Sequence, residues 1–109
     1  MARTVDPNLV SKPRARACAE LKRTQPWICH LCGYPIPRDA DHQRDRYGYT
    51  VDELIPRSAG GSTTDPSNLA PAHRWCNSYR NDQPITDPIR QHCRTVMTST
   101  QPQPTSRNW

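Results

Sequence analysis

Two pairs of ligand-type side chains, Cys29-x2-Cys32 and His73-x2-Cys76, are separated by 40 residues. Each pair spans a single turn of backbone. Together they offer three sulfurs and one imidazole, the donor set of a tetrahedral structural zinc site. If one ion holds both pairs, the intervening chain is a closed loop and its two ends are neighbours. Few other features of the sequence dictate a long-range contact so directly.

The chain needs such a staple. It has 109 residues, enough for one domain, of which 33% are hydrophobic; there is no Phe, and there are 12 Pro. A small domain with so little apolar material cannot be held by its core alone. The Cys count is five, an odd number that does not complete a disulfide framework. No apolar secretory segment is visible at the N-terminus, and no apolar run reaches the roughly 20 residues of a membrane span. A cytoplasmic setting is expected, where cysteine clusters bind metal more often than they cross-link. His30, inside the first pair, is a competing ligand. Cys18 and Cys93 are left over as buried or free thiols. Four protein ligands leave the ion no open position, so any chemistry must lie elsewhere.

Net charge is +5, from 15 Lys+Arg against 10 Asp+Glu, and the only lysines are Lys12 and Lys22. A basic balance points to a polyanionic partner, with nucleic acid first. Residues 1–25 read as a basic leader, with a helix over Arg14–Arg23 entered at Pro13 and stopped at Pro26. Residues 26–83 hold the ligand pairs and form the domain. Within them Tyr47–Pro56 reads as a strand, Arg57–Asn68 as a loop, Leu69–Ala72 as an apolar link and His73–Asp82 as a helix. Residues 84–109 are polar and read as a flexible, largely disordered tail with a marginal helix at Ile85–Val96.

The strand carries two adjacent acids, Asp52 and Glu53, which a short apolar strand has no use for. In chain order they are followed by Asn68 and by Asn77, which adjoins the ligand Cys76. Asp52 and Asn77 offer hard oxygen atoms, the kind that Mg2+ or Mn2+ takes in small number while keeping several waters.

The combination Cys29-x2-Cys32, Val51-Asp52-Glu53-x2-Pro56-x-Ser58-x-Gly60-Gly61, Asp65-x2-Asn68-Leu69 and His73-x2-Cys76-Asn77 resembles the HNH endonuclease family over Cys29–Asp82. That resemblance implies an α+β fold, a small zinc-stabilised ββα-metal core of treble-clef type, here with a basic N-terminal helix. It implies metal-dependent hydrolysis of phosphodiesters in double-stranded DNA. Carried over residue by residue, Asp52 and Asn77 are the ligands of a catalytic divalent ion, Mg2+ or Mn2+. Cys29, Cys32, His73 and Cys76 are the structural zinc ligands. Asn68 orients the base and helps form the turn between the strands. Glu53 stands where the family usually has a His general base; a carboxylate is the weaker base of the two. His42 is an alternative base if its loop folds back. The variant is most similar to small HNH proteins of tailed bacteriophages, which implies DNA packaging with the terminase large subunit in an infected bacterial host.

Arg57, Arg74 and Arg80 are the expected phosphate contacts, giving weakly specific, salt-sensitive DNA binding. The competing reading is a zinc-stabilised DNA-binding or terminase-adaptor module without nuclease activity. Oligomeric state stays open, since one ββα site cuts one strand.

Overall fold

The computed structural model describes residues 12–100. Helix α1 is Lys12–Thr24, strand β1 is Tyr49–Glu53, and strand β2 is Leu69–His73. Helix α2 is Arg74–Arg80, and helix α3 is Asp87–Thr100. The domain is thus α+β, with one two-stranded antiparallel sheet and three helices.

Helix α1 begins where Pro13 fits the first turn and ends before Pro26, with Lys22 and Arg23 in its last turn, where the helix dipole favours cations. It buries Leu21 and packs against β2 and the turn before it. The chain then enters a knuckle. The amide of Gly33 donates to the Cys29 carbonyl at 2.8 Å and that of Cys29 to the Tyr34 carbonyl at 3.0 Å. Gly33 has φ 83°, which closes this turn at no steric cost.

Strands β1 and β2 pair with Tyr49 opposite His73, Val51 opposite Pro71 and Glu53 opposite Leu69. The expected apolar link at Leu69–Ala72 is therefore a strand, and His73 is its last residue. Pro71 is tolerated because both strands of a two-stranded sheet are edges. Its free carbonyl accepts the amide of His30 at 3.0 Å, which ties the knuckle to the sheet. β1 ends at Glu53, short of the expected Pro56. The chain turns away there through two 3-10 turns, Arg57–Ala59 and Pro66–Asn68. Asp65 caps the second turn by accepting from the amide of Ser67. Gly61 lets this loop close: a β-carbon there would lie 1.7 Å from the Ile55 carbonyl oxygen.

The core gathers Leu31, Ile36, Tyr49, Ala72, Ile89 and Met97 around the buried side chains of Cys29, Cys32, Cys76 and Cys93. The stretch 84–109, expected to be largely disordered around a marginal helix, holds the 14-residue α3. Ile89, Cys93 and Met97 recur at four-residue spacing on α3 and are all buried. Such a stripe packs a helix onto a core whatever its average polarity. Residues 1–11 and 101–109 of the leader and tail lie outside the described residues.

Candidate nuclease cleft and metal cluster

The two ligand pairs converge as their spacing requires. Donor atoms of Cys29, Cys32, His73 and Cys76 all lie within 4.8 Å of one another, and all four side chains are buried. His73 Nδ1 is 3.2 Å from Cys32 Sγ and 4.0 Å from Cys76 Sγ. Its Nε2 donates to the Pro35 carbonyl at 3.0 Å, which fixes the tautomer that presents Nδ1 to an ion. The cluster is compatible with a structural zinc site. Burial pulls the His73 pKa down, but the sulfurs of Cys29 and Cys32 outweigh it and raise it to about 10. Hydrogen bonds from Cys32 and Cys76 hold the Cys29 thiol far below its ordinary value. Cys93 is outside the ligand set and buried, its thiol held below its ordinary pKa by Cys76.

His73 ends β2, and Arg74 begins α2. The cluster therefore anchors β2 and α2 to the knuckle together, and it fixes the direction in which α2 presents Asn77. Beside this anchor opens a cleft of about 350 Å³. Asp52, Glu53, Arg57, Asn77 and Arg80 line it, together with Arg14 and Asp82. The side-chain amide of Asn77 makes no hydrogen bond with any described residue.

Asp52 is 4% exposed, and each of its oxygens has a partner. Oδ2 is 2.7 Å from His30 Nε2, and Oδ1 accepts from Arg80 Nη1 at 2.8 Å. A carboxylate oxygen has two lone pairs, so each can still accept from one further group. The donor set of Asp52 with the side-chain amide of Asn77, in a polar cleft, would suit a weakly held Mg2+ or Mn2+. Glu53, on the opposite face of β1, has a side chain 19% exposed, and its Oε2 lies 3.0 Å from Arg14 Nη1.

One expectation needs correction, and two further residues stand outside the cleft. Arg80 does not face DNA: it is 1% exposed. Besides Asp52, it donates to the carbonyls of Glu53, Leu54 and Gln83. Those carbonyls belong to the end of β1 and to the turn after α2, where no ladder partner remains, and the guanidinium supplies the missing donors. Asn68 does not line the cleft. Its side chain is spent on the loop, accepting from the Ile55 amide at 2.8 Å and donating to the carbonyls of Ile55 and Ser62. It braces the chain just after Glu53. His42 lines a neighbouring groove with Lys22 and Tyr49 instead of the cleft. Arg57 is exposed at the cleft, whereas Arg74 is exposed on α2 outside its lining.

Two groups at the site escaped the sequence reading. His30, weighed there only as a zinc ligand, belongs to Asp52. Arg14 reaches Glu53 from α1, 39 positions earlier in the chain. Its place in a basic helix gave no hint of this particular contact.

A zinc-type Cys3His cluster, two antiparallel strands and a helix bearing Asn77 beside an acidic pair define a small ββα metal-site domain. Residues 29–83 match the HNH endonuclease family, and the chain belongs to that family. No curated protein matches the chain. Membership supports a nuclease-type activity with DNA as the partner. No helix among the described residues is long and apolar enough to cross a membrane.

Proposed function

We propose that this protein is a metal-dependent endonuclease that hydrolyses phosphodiester bonds in duplex DNA, one strand at a time per cleft. The observation that carries this reading is the meeting of Asp52, Glu53, Asn77 and Arg57 in one open polar cleft. A merely structural zinc finger has no need of that set.

Asp52 and Asn77 would hold the divalent ion, which supplies Lewis-acid stabilisation of the phosphate and of the departing oxygen when bound. Arg80 and His30 fix the orientation of the Asp52 carboxylate. Glu53 stands at the cleft, paired with Arg14, and accepts the proton of the attacking water. Asn68 holds the chain after Glu53 in place through its three loop contacts. Arg57 meets the DNA backbone at the rim. Cys29, Cys32, His73 and Cys76 hold the structural zinc that sets α2. The resemblance to small phage proteins extends the reading to DNA packaging with the terminase large subunit.

A supercoiled-plasmid assay with Mg2+, Mn2+ or no added divalent ion tests it, using zinc-loaded protein. Metal-dependent nicking, abolished in Glu53→Gln and needing more Mn2+ in Asn77→Ala, is the expected result. Absence of cutting by folded wild-type protein would sink the nuclease reading and leave a DNA-binding or adaptor module. Nicking that survives Glu53→Gln would remove Glu53 as the base.

A further inference from the structure

Arg14 lies outside the stretch that matches the family, yet it reaches into the cleft from α1. Its Nη1 is 3.0 Å from Glu53 Oε2 and donates to the Thr63 carbonyl at 2.8 Å. One nitrogen of the guanidinium thus serves both protein partners. The Nε and Nη2 donors have no partner among the described residues. A guanidinium held on one edge and open on the other suits a tetrahedral anion, because its remaining N–H groups point as a fork.

The surroundings extend this geometry. Arg14 lines the cleft and also a second groove of about 410 Å³ along α1. Lys22, His42 and Tyr49 line that groove with it. The Tyr49 hydroxyl is buried and has no hydrogen-bond partner among the described residues. The two grooves therefore meet at Arg14, one bearing the acidic pair and the other bearing cations.

We propose that Arg14 is a further catalytic residue, the clamp on the scissile phosphate: Nη1 stays with Glu53 while Nε and Nη2 take a non-bridging phosphate oxygen. The same strand then continues along α1, where Lys22 meets a flanking phosphate. This rests on the nuclease reading. It adds that the working site is larger than the family core, because its phosphate clamp comes from a helix that precedes the core. Arg14 keeps Glu53 and the phosphate at a fixed separation, so that the proton acceptor stays beside the attacking water without bonding the phosphate itself.

The test uses the full chain, zinc-loaded, as wild type, Arg14→Gln and Arg14→Lys. Arg23→Gln is the control, since among the described residues Arg23 pairs with the exposed Glu20 on α1. Two readouts are taken: nicking at saturating DNA with Mn2+, and duplex affinity without added divalent ion as a function of salt. Arg14→Gln should lower turnover at saturation by about a hundredfold, as loss of one transition-state donor does. It should also make the slope of log affinity against log salt shallower by about 0.9, the loss of one phosphate contact. Arg14→Lys should keep the wild-type slope, because the charge remains, and recover only part of the turnover, because the fork is gone. Lost turnover with an unchanged slope would make Arg14 only a support for Glu53 and overturn the clamp. A changed slope with wild-type turnover would move the contact away from the scissile phosphate and overturn it as well. If wild-type protein binds DNA but never nicks it, the nuclease reading fails, and with it the scissile assignment; the slope then separately decides whether Arg14 touches phosphate.

Discussion

Arg80 and Asp52 meet inside the domain, Nη1 donating to Oδ1 at 2.8 Å, with 1% and 5% of their side chains exposed. The pair joins the last turn of α2 to β1 across the base of the cleft. An arginine that the sequence offers as a DNA contact is therefore the internal strut that aims a candidate metal ligand.

That strut should be costly to remove. Arg80→Met leaves Asp52 without its cation and strands three backbone carbonyls. Removing one partner of a buried pair costs about 3–5 kcal/mol. Urea unfolding of the zinc-loaded variant against wild type measures it. A loss below about 1 kcal/mol would show that water replaces the guanidinium without penalty.

Asn77 allows a cleaner separation of chemistry from folding. Its amide bonds to no described residue, so Asn77→Ala should leave zinc content and unfolding midpoint unchanged. The Mn2+ concentration for half-maximal nicking should rise by about ten- to a hundredfold, the scale seen when metal sites lose a polar support. Titration of nicking against Mn2+ checks this.

Zinc uptake should release protons. In the metal-free protein His73 has its pKa raised to about 10: burial opposes the proton, but the Cys29 and Cys32 sulfurs outweigh that effect. Its imidazole is therefore protonated at neutral pH and must give up that proton before Nδ1 can bind an ion. Zinc affinity should fall as the pH is lowered, and calorimetry in buffers of different ionisation enthalpy counts the protons released. In the metal-free chain the sign is reversed. The raised pKa contributes stability that is fully present below the ordinary value of 6.5 and is lost as pH rises through about 10. Removing zinc with a chelator should cost most of the fold near neutral pH, read as loss of tryptophan fluorescence order and of far-ultraviolet dichroism.

Helix α3 is part of the domain in energetic terms. Met97 is 0% exposed, and Met97→Ala should cost about 2–5 kcal/mol in urea unfolding. An unchanged midpoint would mean that α3 contributes nothing to the core.

The features legible in the sequence were those with short-range signatures. The zinc-type set could be read because each ligand pair spans one turn, and Asp52, Glu53 and Asn77 because they sit in a dense motif. Arg14 and His30 were illegible as partners of the acids, since only the folded chain brings them there. The burial of Arg80 was hidden for a related reason: it depends on carbonyls that β1 leaves unpaired when it ends at Glu53. Strand β2 was obscured by its brevity and by Pro71, which a two-stranded sheet tolerates. The α3 stripe of Ile89, Cys93 and Met97 was present, but the polar average of the segment masked it.

The order of the ligands along the chain has a consequence for biosynthesis. Cys29 and Cys32 leave the ribosome with only half a coordination shell, and Asp52 and Glu53 follow before α2 exists to face them. His73, Cys76 and Asn77 emerge last and within five residues of one another. Closure of the shell and completion of the cleft are thus a single late event. A nascent chain stalled anywhere before that point carries no assembled cleft.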